Sequence, residues 1–132
     1  MNEARNVQAV QDIYAAFGRG DIPAIVERLA NDVTWRCHFD PVVPFGGVFD
    51  GKGNVPKFFE RLGGAVDTQV FEPQEFVAQG DTVVSIGRYV CKGRASGKTS
   101  DGRWVFIWKF RGDGRIASYE QFHTAGIADL FR

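Results

Sequence analysis

The chain has 132 residues, with 16 basic and 16 acidic side chains and therefore no formal net charge. This length predicts one domain, residues 1–132, that buries about two-thirds of its unfolded surface without a disulfide or a metal. The balanced charge argues against a nucleic-acid partner, which usually requires a basic excess or stripe, and no apolar run is long enough for a membrane span.

Apolar residues at helical spacing predict three helices in the first half of the chain. The first covers about residues 3–18, and its polar character is unlike that of a signal peptide. Asp21 caps a short second helix whose apolar stripe continues to Leu29. The third begins near Val55 and is closed by the pair Gly63-Gly64.

The second half of the chain switches to a period of two, which predicts strands. The predicted strands cover 33–38, 68–78, 82–94, 98–111 and 115–123, and a short last helix covers 124–131. Helices followed by a meander of strands predict an α+β fold, in which a curved antiparallel sheet wraps against three helices.

The pair Asp113-Gly114 lies between two aromatic and β-branched runs, which is a strong hairpin signal. A two-residue turn there pairs Trp104 with His123 and Phe110 with Ala117. One face of the hairpin then carries Trp104, Phe106, Trp108, Phe110, Tyr119, Gln121 and His123. Such a face is typical of the wall of an apolar ligand pocket. The alternatives are an ordinary core face, or a bulged turn that mixes the two faces.

The opposite face of the same hairpin carries Val105, Ile107 and Phe122. Three large apolar side chains on a sheet face that no helix covers predict a homodimer through that face. The alternative is that a different protein docks there.

Two segments carry a family resemblance: Ala16 to Ile25, and Leu29-Ala30-Asn31-Asp32-Val33-Thr34-Trp35. Together with Gly47 to Lys52 and Gly114-Arg115-Ile116, they resemble the nuclear transport factor 2-like superfamily. Within it, the chain is most similar to the SnoaL-like (polyketide-cyclase-like) and ketosteroid-isomerase-related proteins. The resemblance implies a single SnoaL-like domain over 1–132, a cone-shaped, cystatin-like roll, and a pocket between the helices and the concave sheet. It also implies a homodimer through the sheet's other face.

The resemblance allows the catalytic positions of the ketosteroid isomerases to be compared one by one. Their general base, their oxyanion-hole tyrosine and their oxyanion-hole aspartic acid fall at Cys37, Ile13 and Phe106. Steroid isomerisation is therefore not expected, because it needs a base and a donor for the enolate oxygen. In the cyclase-like branch an acid/base aspartate precedes a Thr-Ala pair, and His123 stands at that position here.

His123 and Cys37 are the catalytic candidates. The imidazole titrates near neutrality and suits acid/base chemistry, although a strand-end histidine can equally bond a backbone carbonyl. Cys37 would be a nucleophile if the pKa of its thiol were lowered, and otherwise a small buried hydrophobe. The predicted substrate-binding residues are Tyr14, Trp35, His38, Phe106, Trp108, Tyr119 and Gln121. Adjacent residues of one strand point to opposite faces, so at most one of Cys37 and His38 enters the pocket.

These patterns predict a protein that binds a small apolar molecule and acts as a cofactor-independent isomerase, cyclase or lyase, with His123 as its acid/base. No metal site is expected, because neither Cys-x-x-Cys nor His-x-x-x-His occurs. The alternative is a non-catalytic ligand-binding or dimerisation module of the same fold. A cavity of several hundred cubic ångströms facing His123 would favour the enzyme. With two cysteines that are typical of reduced thiols, we expect a soluble, cytoplasmic protein without a membrane partner.

Overall fold

The computed structural model describes residues 2–132 and confirms the α+β class, with a curved, unclosed six-stranded sheet. In chain order the elements are α1 (Glu3–Gly18), α2 (Ile22–Val26), β1 (Leu29–His38), β2 (Gly47–Val48), a 3₁₀ turn (Lys52–Asn54), α3 (Val55–Ala65), β3 (Val66–Gln79), β4 (Thr82–Gly93), β5 (Thr99–Phe110), β6 (Ile116–His123) and a C-terminal 3₁₀ helix (Ala125–Phe131). Within residues 2–132, none of the helices has the length and apolar character to cross a membrane.

The strands lie in the order β2-β1-β6-β5-β4-β3, and all neighbours are antiparallel except β1 and β6. The parallel β1–β6 pair joins the first long strand to the last one, with Trp35 beside Tyr119 and Cys37 beside Gln121. The first strand thereby extends the hairpin's aromatic face. Sequence patterns do not predict this pairing, since its partners are more than 80 residues apart.

β1 begins at Leu29 rather than at residue 33, so Leu29 is a strand residue and not the end of a helical stripe. The polar pair Asn31-Asp32 interrupts the apolar pattern, which made the segment resemble a break between elements. In the structure the pair lies on the solvent side of an irregularity in the register between Leu29 and Thr34. Asp32 forms an ion pair there with Arg111.

The predicted register of the β5–β6 hairpin is confirmed over most of its length. Trp104 pairs with His123, Phe106 with Gln121, and Trp108 with Tyr119. Phe110 pairs with Ile116 instead of Ala117, because the register shifts between Lys109 and Phe110. This shift lies next to the turn, so the aromatic face beyond it remains intact.

The concave face of the sheet combines small residues on β4 with large aromatic residues on β5. Gly87 lies opposite Trp104, and Ser85 lies opposite Phe106. A Cβ atom at Gly87 would overlap the Trp104 indole and the Glu72 carbonyl oxygen. Because Gly87 has no side chain, the indole lies against β4 and its Nε1 donates to the Arg88 carbonyl at 3.1 Å.

Candidate functional site

A cavity of about 70 Å³, partly open to the surface, lies between the helices and the concave face of the sheet. Seven of the nine residues predicted for the site line this cavity: Tyr14, Trp35, Phe106, Trp108, Tyr119, Gln121 and His123. Six of the seven come from β1, β5 and β6, so the hairpin and its parallel neighbour build one wall. The seventh, Tyr14, approaches from α1.

The rest of the lining consists of residues that sequence reasoning did not assign to the site. They include Ile13 and Phe17 of α1, Phe58, Phe59 and Leu62 of α3, Thr68 and Phe71 of β3, and Tyr89 and Cys91 of β4. The helical spacing of the α3 residues and the alternation of Tyr89 and Cys91 marked them as core. Only the packing of the helices on the sheet places them around a cavity.

The hydroxyl group of Tyr14 ties α1 to the sheet. It accepts a hydrogen bond from Trp108 Nε1 at 2.9 Å and forms a second hydrogen bond with Ser85 Oγ. Desolvation raises the pKa of Tyr14, so the hydroxyl stays protonated. With both hydrogen bonds made inside the protein, Tyr14 acts as a structural link and presents its ring to the cavity.

Tyr119 and Gln121 form a second buried polar pair, on β6. The Gln121 side-chain amide donates to the Tyr119 hydroxyl at 2.7 Å, and the Tyr119 ring packs on Trp35 with centroids 4.0 Å apart. Burial raises the pKa of Tyr119 well above its ordinary value. The phenol therefore keeps its proton, and because the amide occupies the oxygen as an acceptor, that proton is available to a ligand.

Two buried nitrogen atoms on cavity-lining side chains, Trp35 Nε1 and His123 Nδ1, have no hydrogen-bond partner in residues 2–132. An unpaired buried polar group costs about 1–3 kcal/mol. The His123 ring is surrounded by aromatic rings, with centroid distances of 4.7 Å to Phe39, 5.2 Å to Tyr89 and 5.7 Å to Phe106. This desolvation lowers the pKa of His123 to about 3, so the imidazole is neutral at pH 7.

Cys37 is buried beside Trp35 but is not among the residues that line the cavity. Burial raises the pKa of its thiol, and the nearby Trp35 indole opposes that rise only in part, without completing a hydrogen bond. A neutral thiol is a weak nucleophile. The arrangement favours Cys37 as a small core residue over a nucleophile.

His38 lies on the other face of β1, outside the cavity. Its Nε2 is 3.1 Å from the Glu120 carboxylate, and its ring stacks on Phe122 with centroids 4.6 Å apart. About half of its side chain is exposed. The structure thus differs from the expectation of a substrate contact at His38, because the pleat of β1 directs Cys37 and His38 to opposite sides.

Between Asn2 and Arg132, no group of three or more His, Cys, Asp and Glu side chains has a geometry that could hold an ion. The polar groups on the side chains that line the cavity are instead indoles, phenols, a threonine hydroxyl, a thiol, an amide and an imidazole, which suit hydrogen bonds to an organic ligand.

The fold is shared with NTF2-like proteins of known structure. The chain belongs to the family defined by the SnoaL-like domain, which matches residues 10–119. A comparison with curated protein sequences found no match.

Three solved structures illustrate the likeness. An NTF2-like protein from Burkholderia xenovorans is 27% identical, with a TM-score of 0.89 over 100% of this chain and 99% of its own. TerC, crystallised with polyporic acid, is 27% identical, with a TM-score of 0.75 over 89% of both chains. A protein from Mesorhizobium loti, provisionally described as a SnoaL-like polyketide cyclase, has 14% identity and a TM-score of 0.71 over 88% of this chain and 97% of its own.

Proposed function

We propose that this chain binds a small apolar molecule in the aromatic cavity and acts on it as a cofactor-independent isomerase, cyclase or lyase, with His123 as the proton-transfer group. The observation that carries the proposal is the pair of unpaired buried nitrogens, Trp35 Nε1 and His123 Nδ1, on side chains that line an otherwise aromatic cavity. Unpaired buried polar groups are rare in folded proteins and call for a functional reason. A ligand oxygen bonded to either nitrogen would remove this cost.

The chemistry of His123 follows from its surroundings. A pKa of about 3 is far below the value near neutrality that suits a general base at pH 7. The neutral imidazole therefore acts first as a hydrogen-bond partner of the ligand. It takes up a proton once a ligand oxygen carries developing negative charge, since a nearby negative charge favours the protonated imidazole.

The two donors on the same wall complete the proposed site. The Trp35 N–H and the Tyr119 O–H are suited to bind an enolate or phenolate oxygen, because both are neutral donors in a desolvated setting. Gln121 holds the Tyr119 hydroxyl in place through the hydrogen bond of 2.7 Å. These residues would orient the substrate while His123 moves the proton.

A second candidate function is a non-catalytic binding module, and the cavity volume favours it. About 70 Å³ is far below the roughly 300–1,000 Å³ of ordinary ligand pockets. By this measure the interior is closer to a packed cone than to an open active site. Catalysis therefore depends on whether the cavity enlarges when a ligand arrives.

Polyporic acid is the first molecule to test, because the related protein TerC was crystallised with it. All three tryptophans line the cavity, so quenching of their fluorescence during a titration reports binding there. We expect saturable quenching that weakens about tenfold in His123→Gln, the usual worth of one hydrogen bond to a buried partner. His38→Gln, on the outer face, is the matched control and should bind like the wild-type protein.

Measuring substrate turnover distinguishes the enzyme from the non-catalytic binding module. Once a converted substrate is found, His123→Gln should lower kcat by about 10²–10⁴-fold if the imidazole carries the proton. Binding with the same affinity and no conversion of any ligand by the wild-type protein would support the non-catalytic module instead.

A further inference from the structure

An apolar surface groove of about 510 Å³ lies directly outside the cavity, beside the end of α1, α2, α3 and the start of β3. Four residues, Phe17, Phe59, Leu62 and Thr68, line both the cavity and the groove. These four side chains therefore lie between a cavity that is too small for a ligand and a groove that is large enough for one.

The side chains of this partition are only partly buried. Phe17, Phe59 and Leu62 are each intermediate between buried and exposed. The cavity also borders a second groove of about 350 Å³, with which it shares the partly exposed His123 and the buried Ile127, which is 4% exposed; that groove is flanked by the charged pair Asp40 and Arg132. Displacing a partly exposed side chain removes less apolar surface from contact than displacing a buried one. All four shared residues at α3 are partly exposed, so this partition is easier to displace than one that includes the buried Ile127.

The last turn of α3, which follows Leu62, also has a low intrinsic helix stability. Gly63 and Gly64 occupy the last turn of α3, neither has a positive φ, and a Cβ atom at either would meet nothing within 4 Å. Packing thus does not require glycine here, yet glycine weakens a helix relative to alanine. Arg94 makes two hydrogen bonds to this turn from outside the helix. Its side-chain Nε donates to the Gly63 carbonyl at 2.7 Å, and its backbone N–H donates to the Ala65 carbonyl at 3.0 Å.

We propose that the groove is the outer half of the ligand site, and that the last turn of α3, with Phe59 and Leu62, is the partition that a ligand displaces. This inference rests on the proposed small-molecule pocket and adds the shape of its ligand. The ligand is an elongated apolar molecule, with one end among the cavity aromatics and the other between α1 and α3. A polar end of the ligand remains in the groove, where the side chains of Glu60 and Arg94 are exposed to solvent.

The test follows the uptake of N-phenyl-1-naphthylamine, an apolar aromatic dye, by stopped-flow energy transfer from the cavity tryptophans. Leu62→Ala thins the partition and should speed association about tenfold, equivalent to a barrier lowered by ~1.4 kcal/mol. The double variant Gly63→Ala/Gly64→Ala stiffens the turn and should slow association about tenfold. Its melting temperature should rise, because alanine fits both positions without a clash.

Ile127→Val is the matched control, since it thins the opposite partition by one methylene while keeping a buried apolar side chain. It should leave the association rate unchanged. Faster uptake in Ile127→Val with no change in Leu62→Ala would overturn the inference and leave the proposed pocket intact. Equal rates in all variants would also overturn it. Absence of energy transfer in both the wild-type protein and Leu62→Ala would overturn the inference and the apolar pocket together.

Discussion

At the scale of single residues, the desolvated imidazole of His123 should affect acid stability. The pKa of His123 falls from 6.5 to about 3 on folding. Between these values the unfolded chain binds a proton that the folded chain does not, so the free energy of unfolding decreases as the pH falls from 6.5 towards 3. The slope from this one group is at most about 1.4 kcal/mol per pH unit.

Urea unfolding at pH 7, 5 and 4 would measure this slope. We expect His123→Gln to lose less stability on acidification than the wild-type protein, because glutamine cannot take up the proton in either state. Parallel curves for His123→Gln and the wild-type protein would show that the imidazole is hydrated in the folded state.

A second residue-scale prediction concerns Gly87. Alanine there would place its Cβ against the Trp104 indole and the Glu72 carbonyl, and the carbonyl belongs to a paired backbone that cannot move aside easily. We expect Gly87→Ala to lower the free energy of unfolding by about 1–3 kcal/mol, as overpacking usually does. Gly112→Ala, at a site with no atom within 4 Å, is the control and should change it little. Equal stability in both variants would contradict the close packing of Trp104 on β4.

At the scale of elements, Tyr14 joins α1 to β4 and β5. Tyr14→Phe keeps the ring and leaves Trp108 Nε1 and Ser85 Oγ without the partner that each has in the wild-type protein. Each orphaned group costs about 1–3 kcal/mol, so we expect a large loss of stability in thermal or urea unfolding.

Tyr89→Phe is the comparison for this element-scale prediction. Tyr89 has one buried hydroxyl partner, Ser100 at 2.9 Å, on the neighbouring strand. Its replacement should cost less than that of Tyr14, because only one group is orphaned and no helix is detached from the sheet. A smaller loss in Tyr14→Phe than in Tyr89→Phe would mean that α1 is held by apolar packing alone.

At the scale of the whole molecule, the convex face of the sheet carries an apolar patch. Its half-exposed members come from three adjacent strands: Val84, Ile86, Val105, Ile107 and Phe122. Phe122 is 39% exposed. A contiguous apolar patch of this kind is typical of an interaction surface, and we propose that two copies of the chain pair through it.

Sedimentation velocity at micromolar concentration tests this pairing. We expect a dimer for the wild-type protein and a monomer for Ile107→Glu, because a buried unpaired carboxylate in each subunit opposes association. Val42→Glu adds the same charge at an exposed loop position and should remain dimeric. A monomeric wild-type protein would exclude the symmetric pair.

Local patterns in the sequence predict the elements and the aromatic wall. Helical spacing marks α1 and α3, and alternation with the Asp113-Gly114 turn sets the register from Trp104 to His123, since these signals involve residues close in the chain. They fail where neighbours are distant, as at Leu29, whose place in β1 depends on pairing with Ile116.

The cavity itself is a product of the tertiary structure. The sequence identifies Trp35, Tyr119 and His123 as pocket candidates, but it does not reveal that the parallel β1–β6 pair brings Trp35 onto Tyr119. Nor does it reveal that the cavity is about 70 Å³ and is lined in part by α3. Volumes, unpaired nitrogens and the low pKa of His123 depend on how every layer packs around them, and desolvation sums over side chains from all parts of the chain. Periodicity therefore determines which faces are apolar, and only the packing of helices on the sheet decides which apolar face encloses a site.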